Sequence, residues 1–321
     1  MQNGTLLAAV DLGSNSFRLE IGRYDSGHIE RVEYLKETVR QGSGLDENKN
    51  LSLVAMERGW ECLARFAERL QGFQKHQVRA VATQTLREAR NRDDFTRRAQ
   101  EILGFPIEVV SGHEEARLIY QGVSHLLPQS DEKRLVIDIG GRSTEVILGQ
   151  GYSASKMESY RLGSVAWSSR YFPRGQITQQ SLQTSEIAAK AVLDEALDAY
   201  PVGSWDTAYG SSGTVGAPFT STQRGRSSSG TVGAVAEILT LNGWPAGQIT
   251  RAGLDWLTDK LLRAGHPDHL RLEGLKDDRR PVIGGGIGVL RALFDLFKLE
   301  SLVKAEGALR QGALYDLIDR E

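Results

Sequence analysis

The chain has 321 residues, of which 40% are hydrophobic and 25% charged, so it is long enough for two domains of roughly 150 residues each. Its formal net charge of −2 gives no general attraction to nucleic acid or to an anionic membrane, so any polyanion must be held by a local site. The single cysteine, Cys62, excludes an internal disulfide and a CxxC metal site.

That cysteine usage predicts a reducing compartment, the cytoplasm, and places the Cys62 thiol on the buried face of a helix. No apolar run reaches the roughly 18 residues that suggest a membrane helix. The first residues lack the basic region of a signal peptide and run directly into a strand pattern. We therefore expect neither a membrane helix nor a signal peptide.

The first predicted element is a hairpin whose pattern recurs later in the chain. AVDLGSNSFRLEIG starts at Ala9 and VIDIGGRSTEVILG starts at Val136, and each reads as an apolar strand, a turn of small or polar residues, and a returning strand. Asp11 in the first copy corresponds to Asp138 in the second, 127 positions further on. The repeat predicts a duplicated fold with a phosphate-binding turn in each domain, the two turns facing each other across a cleft.

Small residues allow the backbone N–H groups of such turns to approach a phosphate, and their hydroxyl and amide groups add donors. A third glycine-rich turn, AYGSSGTVGA, has the form of a strand running into a helix N-terminus, another common anion site. The predicted phosphate-binding residues are Gly13, Ser14, Asn15 and Ser16 in the first turn, Gly140, Gly141, Arg142 and Ser143 in the second, and Gly210, Ser211, Ser212, Gly213 and Thr214 in the third.

After the first hairpin, strand patterns alternate with helix patterns, which predicts an α/β fold. Ser52 is expected to cap a helix whose buried stripe includes Val54 and Trp60. A strand over residues 78–83 then leads into a helix that carries Arg87. The Arg87 guanidinium suits phosphate geometry, but a solvated helix arginine is an equal alternative.

The segment SGHEEARLIY starts the next helix. Ser111 and Glu114 have the spacing of a capping box, in which each side chain satisfies a backbone N–H of the first turn. Glu115 borders the face that packs inward, and the helix dipole stabilises its carboxylate as the anion. Because a base that activates water must be ionised near neutral pH, Glu115 is the candidate catalytic residue.

In the second hairpin, a turn over residues 140–143 places Asp138 directly opposite Glu145. Two facing carboxylates repel each other unless a cation lies nearby, and oxygen ligands completed by phosphate suit Mg²⁺. In the first hairpin Asp11 faces Arg18, a pair that ordinary ion pairing explains. The sequence therefore predicts a magnesium site at Asp138 and Glu145, with Asp11 reaching the metal through water.

Arg142 is an unusual residue for the tip of a phosphate-binding turn. If the tip is left-handed, an arginine there costs about 1–2 kcal/mol. One charge-assisted hydrogen bond to phosphate contributes roughly 1.5–3 kcal/mol and offsets that strain. Three alternatives stay open: a side chain facing solvent, an added phosphate contact, and a blocked or altered site. Further along the chain, VIGGGIG predicts close helix packing and not a ligand loop.

Together these motifs resemble the exopolyphosphatase and guanosine pentaphosphate phosphatase family, a branch of the actin, sugar-kinase and heat-shock-chaperone superfold. The resemblance covers nearly the whole chain and is carried by AVDLGSNSFRL, ATQTLREARN, PIEVVSGHEEARLIYQGV, LVIDIGGRSTEV, YGSSGT and AEGALRQGALYD. It implies an actin-like α/β fold of duplicated ribonuclease-H-like domains with an interdomain cleft. By the same analogy Glu115 is the water-activating base, Arg87 a phosphate clamp, and Asp138 and Glu145 serve Mg²⁺.

The resemblance also sets the expected domains and exposes two departures. The first domain is expected over residues 1–123 with about 304–321, and the second over residues 124–303. The family's second hairpin usually reads DIGGGST, so Arg142 stands where the family has a glycine. Longer members carry a C-terminal helical domain of the HD type, and this sequence stops before one. A shorter member and a piece of a longer protein are both open.

The function that the resemblance implies is a Mg²⁺-dependent phosphohydrolase that releases terminal phosphate from inorganic polyphosphate, guanosine pentaphosphate, or both. One alternative is a non-catalytic or weakly active sensor of polyphosphate or nucleotide, favoured if Arg142 fills the turn. A kinase of the same superfold would need an acceptor-hydroxyl site and tight adenosine recognition, and no stretch clearly supplies either. No nucleic-acid or membrane partner is expected. Substrate preference and oligomeric state stay open, with a homodimer as one alternative.

Overall fold

The structure, a computed structural model, describes residues 1–212 and 230–320. The described chain divides into two compact units, one of residues 1–122 with 309–320 and one of residues 123–212 with 230–308. Among the described residues, no helix is both long and apolar enough to cross a membrane.

Strands and helices alternate over much of the chain, as the sequence predicts for an α/β fold. The strands in the described residues are β1 Leu6–Leu12, β2 Phe17–Asp25, β3 His28–Glu37, β4 Val78–Ala82, β5 Ile107–Val109, β6 Lys133–Ile139, β7 Thr144–Gln150, β8 Ser153–Tyr160, β9 Thr207–Ser212, β10 Gln248–Thr250 and β11 Ser301–Glu306. The α-helices there are α1 Leu53–Arg69, α2 Gln84–Glu88, α3 Arg92–Leu103, α4 Gly112–Ser124, α5 Ser164–Tyr171, α6 Gln179–Leu193, α7 Ala196–Ala199, α8 Thr231–Leu241, α9 Arg251–Ala264, α10 Ile283–Leu296 and α11 Leu309–Asp319.

The two units contain sheets of the same design. In the first unit the strand order is β3-β2-β1-β4-β5, with β1, β2 and β3 antiparallel and with β4 and β5 parallel to β1. In the second unit, β8-β7-β6-β9-β11 repeats this order and these directions, and β10 adds an antiparallel edge strand. The predicted duplication is therefore confirmed. So is the register: Asp11 pairs with Arg18, and Asp138 with Glu145.

The helix α1 shows how the first unit buries its apolar face. Ser52 caps it as predicted, because its Oγ accepts a hydrogen bond from the N–H of Ala55 (3.3 Å). Cys62 is fully buried on this helix, as predicted. The place predicted for Val54 in the buried stripe is wrong: it is 60% exposed, because it lies one helical turn before Arg58 on the outward face.

The glycines of VIGGGIG lie in α10, where they allow other elements to approach closely. A Cβ at Gly285 would lie 2.4 Å from the carbonyl oxygen of Ser164, and one at Gly288 would lie 2.4 Å from Ser185 Oγ. The N–H of Gly285 donates to Ser168 Oγ on α5 (2.9 Å). The predicted close packing is confirmed, and this contact fixes α5 in its place.

The last helix, α11, is bound to the first unit by a buried charge cluster. Asp316 pairs with both Arg79 on β4 and Arg117 on α4. A Cβ at Gly312 would fall 1.8 Å from the carbonyl oxygen of Leu118, so α11 and α4 meet at the backbone. Charged partners and close packing together hold the C-terminal helix against this unit.

Glu114 belongs to this cluster, and its predicted capping box is only half formed. Ser111 Oγ accepts from the Glu114 N–H (3.1 Å), but the Glu114 carboxylate accepts from Arg117 and Arg79 (2.8 Å each) and so does not return to the cap. Hydrogen bonds from Arg117 lower the pKa of Glu114 from 4.5 to about 2, with a further contribution from Arg79 and against the opposing effect of burial. The Glu114 carboxylate therefore bonds the buried Arg79 in preference to the exposed backbone N–H at the start of α4.

We predict that Glu114→Gln destabilises the protein by about 2 kcal/mol at pH 7. Because the pKa of Glu114 is lowered in the folded state, its stabilisation is fully present above about pH 4.5 and is lost as the pH falls towards 2. Urea unfolding at several pH values from 7 to 3 should therefore show wild type and variant converging as the pH falls. Glu101→Gln, at an exposed position on α3, is the control. Parallel pH curves for wild type and Glu114→Gln would contradict this prediction.

Candidate functional site

The turn between β1 and β2 is fixed through its backbone carbonyls. The N–H of Gly42 donates to the carbonyl oxygen of Ser14 (2.7 Å), and the N–H of Arg40 donates to that of Asn15 (2.9 Å). Both donors lie in the segment after β3, so the loop that follows the hairpin sets the conformation of the turn.

Two predicted phosphate-binding side chains in this turn have buried polar atoms without a hydrogen-bond partner in the described part of the chain. Within the described residues, neither Asn15 Nδ2 nor Ser16 Oγ has a hydrogen-bond partner. Ser14 Oγ, in contrast, accepts a hydrogen bond from the Thr85 hydroxyl on α2 (2.7 Å). An amide donor and a hydroxyl are therefore available to a ligand at this turn.

Asp11, at the end of β1, is held by two arginines. Arg18 Nη1 lies 3.0 Å from Asp11 Oδ2, and Arg310 Nη1 lies 3.7 Å from the same oxygen. Arg310 is buried on α11 and also donates from Nε to Glu20 Oε2 (3.2 Å). The ion pairing expected between Asp11 and Arg18 is confirmed.

Glu115 and Arg87 were predicted independently, and the structure brings them together. Arg87 Nη1 donates to Glu115 Oε2 (2.6 Å) and to the carbonyl oxygen of Val110 (3.0 Å). Arg87 Nε and Nη2 both donate to Gln84 Oε1 (3.0 and 2.6 Å). Glu115 is 6% exposed and lies in the first turn of α4. The alternative of a solvated Arg87 is therefore wrong, because its side chain is only 16% exposed and its guanidinium is bonded within the protein.

In the second unit, a row of polar side chains crosses the ends of four adjacent strands. Asp138 on β6 faces Glu145 on β7, which in turn faces Ser159 on β8. Ser159 Oγ donates to Glu145 Oε1 (2.7 Å), and Ser211 Oγ on β9 lies within hydrogen-bond distance of both Asp138 Oδ2 (3.1 Å) and the Gly307 carbonyl oxygen (3.0 Å). Two neighbouring carboxylates are thus each oriented by a hydroxyl. No cluster of three or more histidine, cysteine or acidic side chains suited to a metal occurs in the described parts of the chain.

The turn of the second hairpin is fixed by the start of α5. The N–H of Ser164 donates to the carbonyl oxygen of Gly140 (3.0 Å), and the N–H of Val165 donates to that of Gly141 (2.8 Å). A Cβ at Gly163 would lie 2.5 Å from the backbone nitrogen of Arg142, so only glycine allows this approach. The free N–H groups of a helix start are thus used to hold the turn.

Arg142 does not have the left-handed conformation that the sequence left open for the tip of this turn. The described non-glycine residues with positive φ are Ser26, Arg40, Lys49, Arg174 and Lys298, and the described glycines with positive φ include neither Gly140 nor Gly141. The turn therefore accepts an arginine without backbone strain. Arg142 is half-buried and does not stand out into solvent. Its neighbour Ser143 is buried, and the carbonyl oxygen of Ser143 accepts a hydrogen bond from the Gly140 N–H (2.9 Å).

The third predicted turn is described only at its start. Gly210 lies on β9, where a Cβ would fall 2.3 Å from Val232 Cγ1, so packing against α8 requires the glycine. Ser211 Oγ lies 3.1 Å from Asp138 Oδ2. Ser212 ends the strand. Gly213 and Thr214 lie outside the described residues.

Sequence reasoning missed the residues that hold the predicted ones in place. Ser159 and Arg310 each bond a predicted site residue that is distant in the sequence, and Gln84 bonds Arg87 within the same short helix. The alternation of β8 gave a signal for Ser159, but its register depends on the irregularity between Leu148 and Gly149. Gln84 lies three residues before Arg87, a spacing at which side chains on a helix meet. The sequence could therefore have predicted this contact.

The chain is similar to known proteins over nearly its whole length. The model of the Ppx/GppA phosphatase family matches residues 21–321. A curated relative from Vibrio atlanticus, called guanosine-5'-triphosphate,3'-diphosphate pyrophosphatase, is 41% identical over 314 residues, which cover 98% of this chain and 59% of the relative. A relative of the same name from Vibrio parahaemolyticus is 39% identical with the same coverage. The chain thus spans about 59% of the length of these curated relatives.

Solved structures agree with this match. The crystal structure of an exopolyphosphatase-like protein has a TM-score of 0.84 and 25% identity, and covers 98% of each chain. The Aquifex aeolicus PPX-GPPA enzyme has a TM-score of 0.75 and 24% identity, covering 97% of this chain and 99% of that one. The predicted α/β fold with two sheets of the same design is confirmed. With a family match over nearly its whole length, the chain belongs to the Ppx/GppA phosphatase family.

Proposed function

We propose that the protein hydrolyses a terminal phosphoanhydride bond, with guanosine pentaphosphate or inorganic polyphosphate as substrate. The observation that carries this proposal is Glu115, a buried carboxylate in the first turn of α4 held by the Arg87 guanidinium. A helix N-terminus and a paired cation both favour the ionised form that a base requires. The names of the two Vibrio relatives support the nucleotide as substrate.

In the proposed reaction Glu115 accepts the proton of the attacking water. Pairing with Arg87 keeps the carboxylate ionised but also weakens it as a base, since the cation stabilises the charge. A substrate phosphate that draws Arg87 towards itself would weaken this pair and strengthen the base. Gln84 holds two nitrogens of the same guanidinium, so we assign it the role of orienting Arg87.

Backbone and side-chain donors of the two hairpin turns are proposed to bind the phosphates. In the first turn these donors include Asn15 Nδ2, and the hydroxyls of Ser14 and Ser16 can donate as well. The second turn offers the backbone of Gly141 and the side chains of Arg142 and Ser143. Donors held in place before the reaction stabilise negative charge on phosphate oxygens without first having to reorganise.

The facing carboxylates of Asp138 and Glu145 fit a divalent cation. Like charges directly opposite on neighbouring strands repel, and a cation with oxygen ligands relieves that repulsion. The Ser211 and Ser159 hydroxyls would orient the two ligands. A bound Mg²⁺ supplies positive charge that offsets the charge of the phosphate oxygens. Asp11, already paired with Arg18, is proposed to reach the ion only through water.

A sensor that binds polyphosphate or nucleotide without turnover is the second candidate. Arg142 is the observation that favours it, because a half-buried arginine occupies the turn where the family usually has a glycine. A turn without backbone strain gives no sign of distortion, so we rank hydrolysis first.

We predict that Glu115→Gln lowers kcat at least 100-fold, because the amide cannot accept the proton from water. Binding of substrate should stay within about threefold of wild type, since the substitution removes no phosphate donor. Phosphate release gives kcat, and calorimetry gives the dissociation constant. Glu101→Gln, exposed on α3, is the control for a neutral change of carboxylate to amide. Unchanged turnover in Glu115→Gln would remove this residue from the mechanism.

We predict that Glu145→Gln raises the Mg²⁺ concentration for half-maximal activity at least tenfold, because one of the two anionic ligands is lost. Titration of phosphate release with Mg²⁺ measures the change. Glu158→Gln, at an exposed position on β8 two residues from Tyr160, is the matched control and should leave the titration unaltered. If Glu145→Gln gives the wild-type Mg²⁺ curve, the proposed metal site is wrong.

A further inference from the structure

Arg40, in the segment after β3, has a backbone conformation that non-glycine residues rarely adopt. Its φ is 54° and its ψ is 42°, in the left-handed region, and its side chain is exposed. Its N–H is the donor that holds the Asn15 carbonyl of the first turn (2.9 Å). An arginine here costs conformational free energy that a glycine would not.

The strained conformation is held in place from the neighbouring helix. Arg58 on α1 donates from Nε to the carbonyl oxygen of Val39 (2.9 Å) and from Nη2 to that of Arg40 (3.4 Å). Two residues after Arg40, the N–H of Gly42 donates to the carbonyl oxygen of Ser14 in the first turn (2.7 Å). A backbone fixed this firmly does not need an arginine side chain, so a purely structural role would be served better by glycine or asparagine.

Two independent features indicate an anionic ligand next to this arginine. The first turn contains the buried Asn15 Nδ2 and Ser16 Oγ, which lack a hydrogen-bond partner within the described residues. The guanidinium of Arg58 adds positive charge at the backbone on either side of residue 40. The Arg40 backbone is bonded to this turn, and guanidinium groups suit the geometry of phosphate.

We propose that Arg40 binds a phosphate of the substrate other than the one that is released, and that backbone strain is retained to present its guanidinium beside the first turn. This inference rests on the proposed function for its substrate class, an oligophosphate. That phosphate belongs either to an inorganic chain or to a nucleotide, and both present the same oxygens.

The test compares Arg40→Gly with Lys298→Gly. Lys298 is also an exposed cation with a left-handed backbone (φ 53°), but it lies between α10 and β11 and contacts no predicted site residue that the structure describes. Glycine removes the same strain and one charge at each position. Urea unfolding, calorimetric binding of tripolyphosphate and of guanosine pentaphosphate, and the KM and kcat of phosphate release are measured for each.

We expect both variants to unfold at a urea concentration equal to or higher than that of wild type. Only Arg40→Gly should weaken binding and raise KM, by at least fivefold, with kcat within twofold. A loss confined to tripolyphosphate assigns the inorganic chain, and one confined to the nucleotide assigns its phosphates. Binding of both ligands within twofold of wild type would overturn the proposal, and so would equal losses in the two variants.

Failure of the proposed function is separable from failure of this inference. A wild-type protein that binds these ligands but releases no phosphate removes the hydrolase proposal, and the comparison of dissociation constants still decides the role of Arg40. A wild-type protein that hydrolyses, with Arg40→Gly unchanged, removes the role of Arg40 alone. If wild type neither binds nor hydrolyses, both are overturned.

Discussion

In each hairpin turn the backbone carbonyl oxygens accept hydrogen bonds from N–H groups of a later segment. The proposed chemistry depends on this bonding. In the first unit Gly42 and Arg40 hold the carbonyls of Ser14 and Asn15. In the second unit the first N–H groups of α5 hold the carbonyls of Gly140 and Gly141. Carbonyl oxygens carry partial negative charge, so a turn that binds an anion must direct them away from it. These hydrogen bonds hold the carbonyl oxygens in that direction.

The same constraint explains which glycines are required. Gly163 allows α5 to approach the second turn, and Gly285 allows α10 to support α5. Glycine within the turn is not required by φ, because neither Gly140 nor Gly141 has a positive φ. An arginine at position 142 is therefore compatible with the structure of the turn even though it departs from the family's usual residue.

The two hairpins share a register and differ in charge. Asp11 faces an arginine and receives a second one from α11, so its charge is balanced by the protein. Asp138 faces a second carboxylate, and each receives a hydrogen bond from a serine. At this one cross-strand position the first hairpin has an arginine and the second a glutamate, so we propose a divalent cation only at the second.

The sequence allowed local features to be predicted well and distant partners poorly. The hairpins, their register and the capping role of Ser52 follow from short-range patterns, and they are confirmed. The carboxylate of Glu114 was misplaced because its partners, Arg79 and Arg117, are brought to it by tertiary packing. The sequence left the φ of Arg142 open, because the approach of Gly163 sets the turn and that contact leaves no local pattern.

The most direct test of the central claim is phosphate release by the wild-type protein with Mg²⁺, from guanosine pentaphosphate and from long-chain polyphosphate at equal enzyme concentration. Our account predicts continuous release of inorganic phosphate from at least one of them, without an added acceptor. Binding of either ligand with no release from both would contradict hydrolysis and leave a sensor in its place.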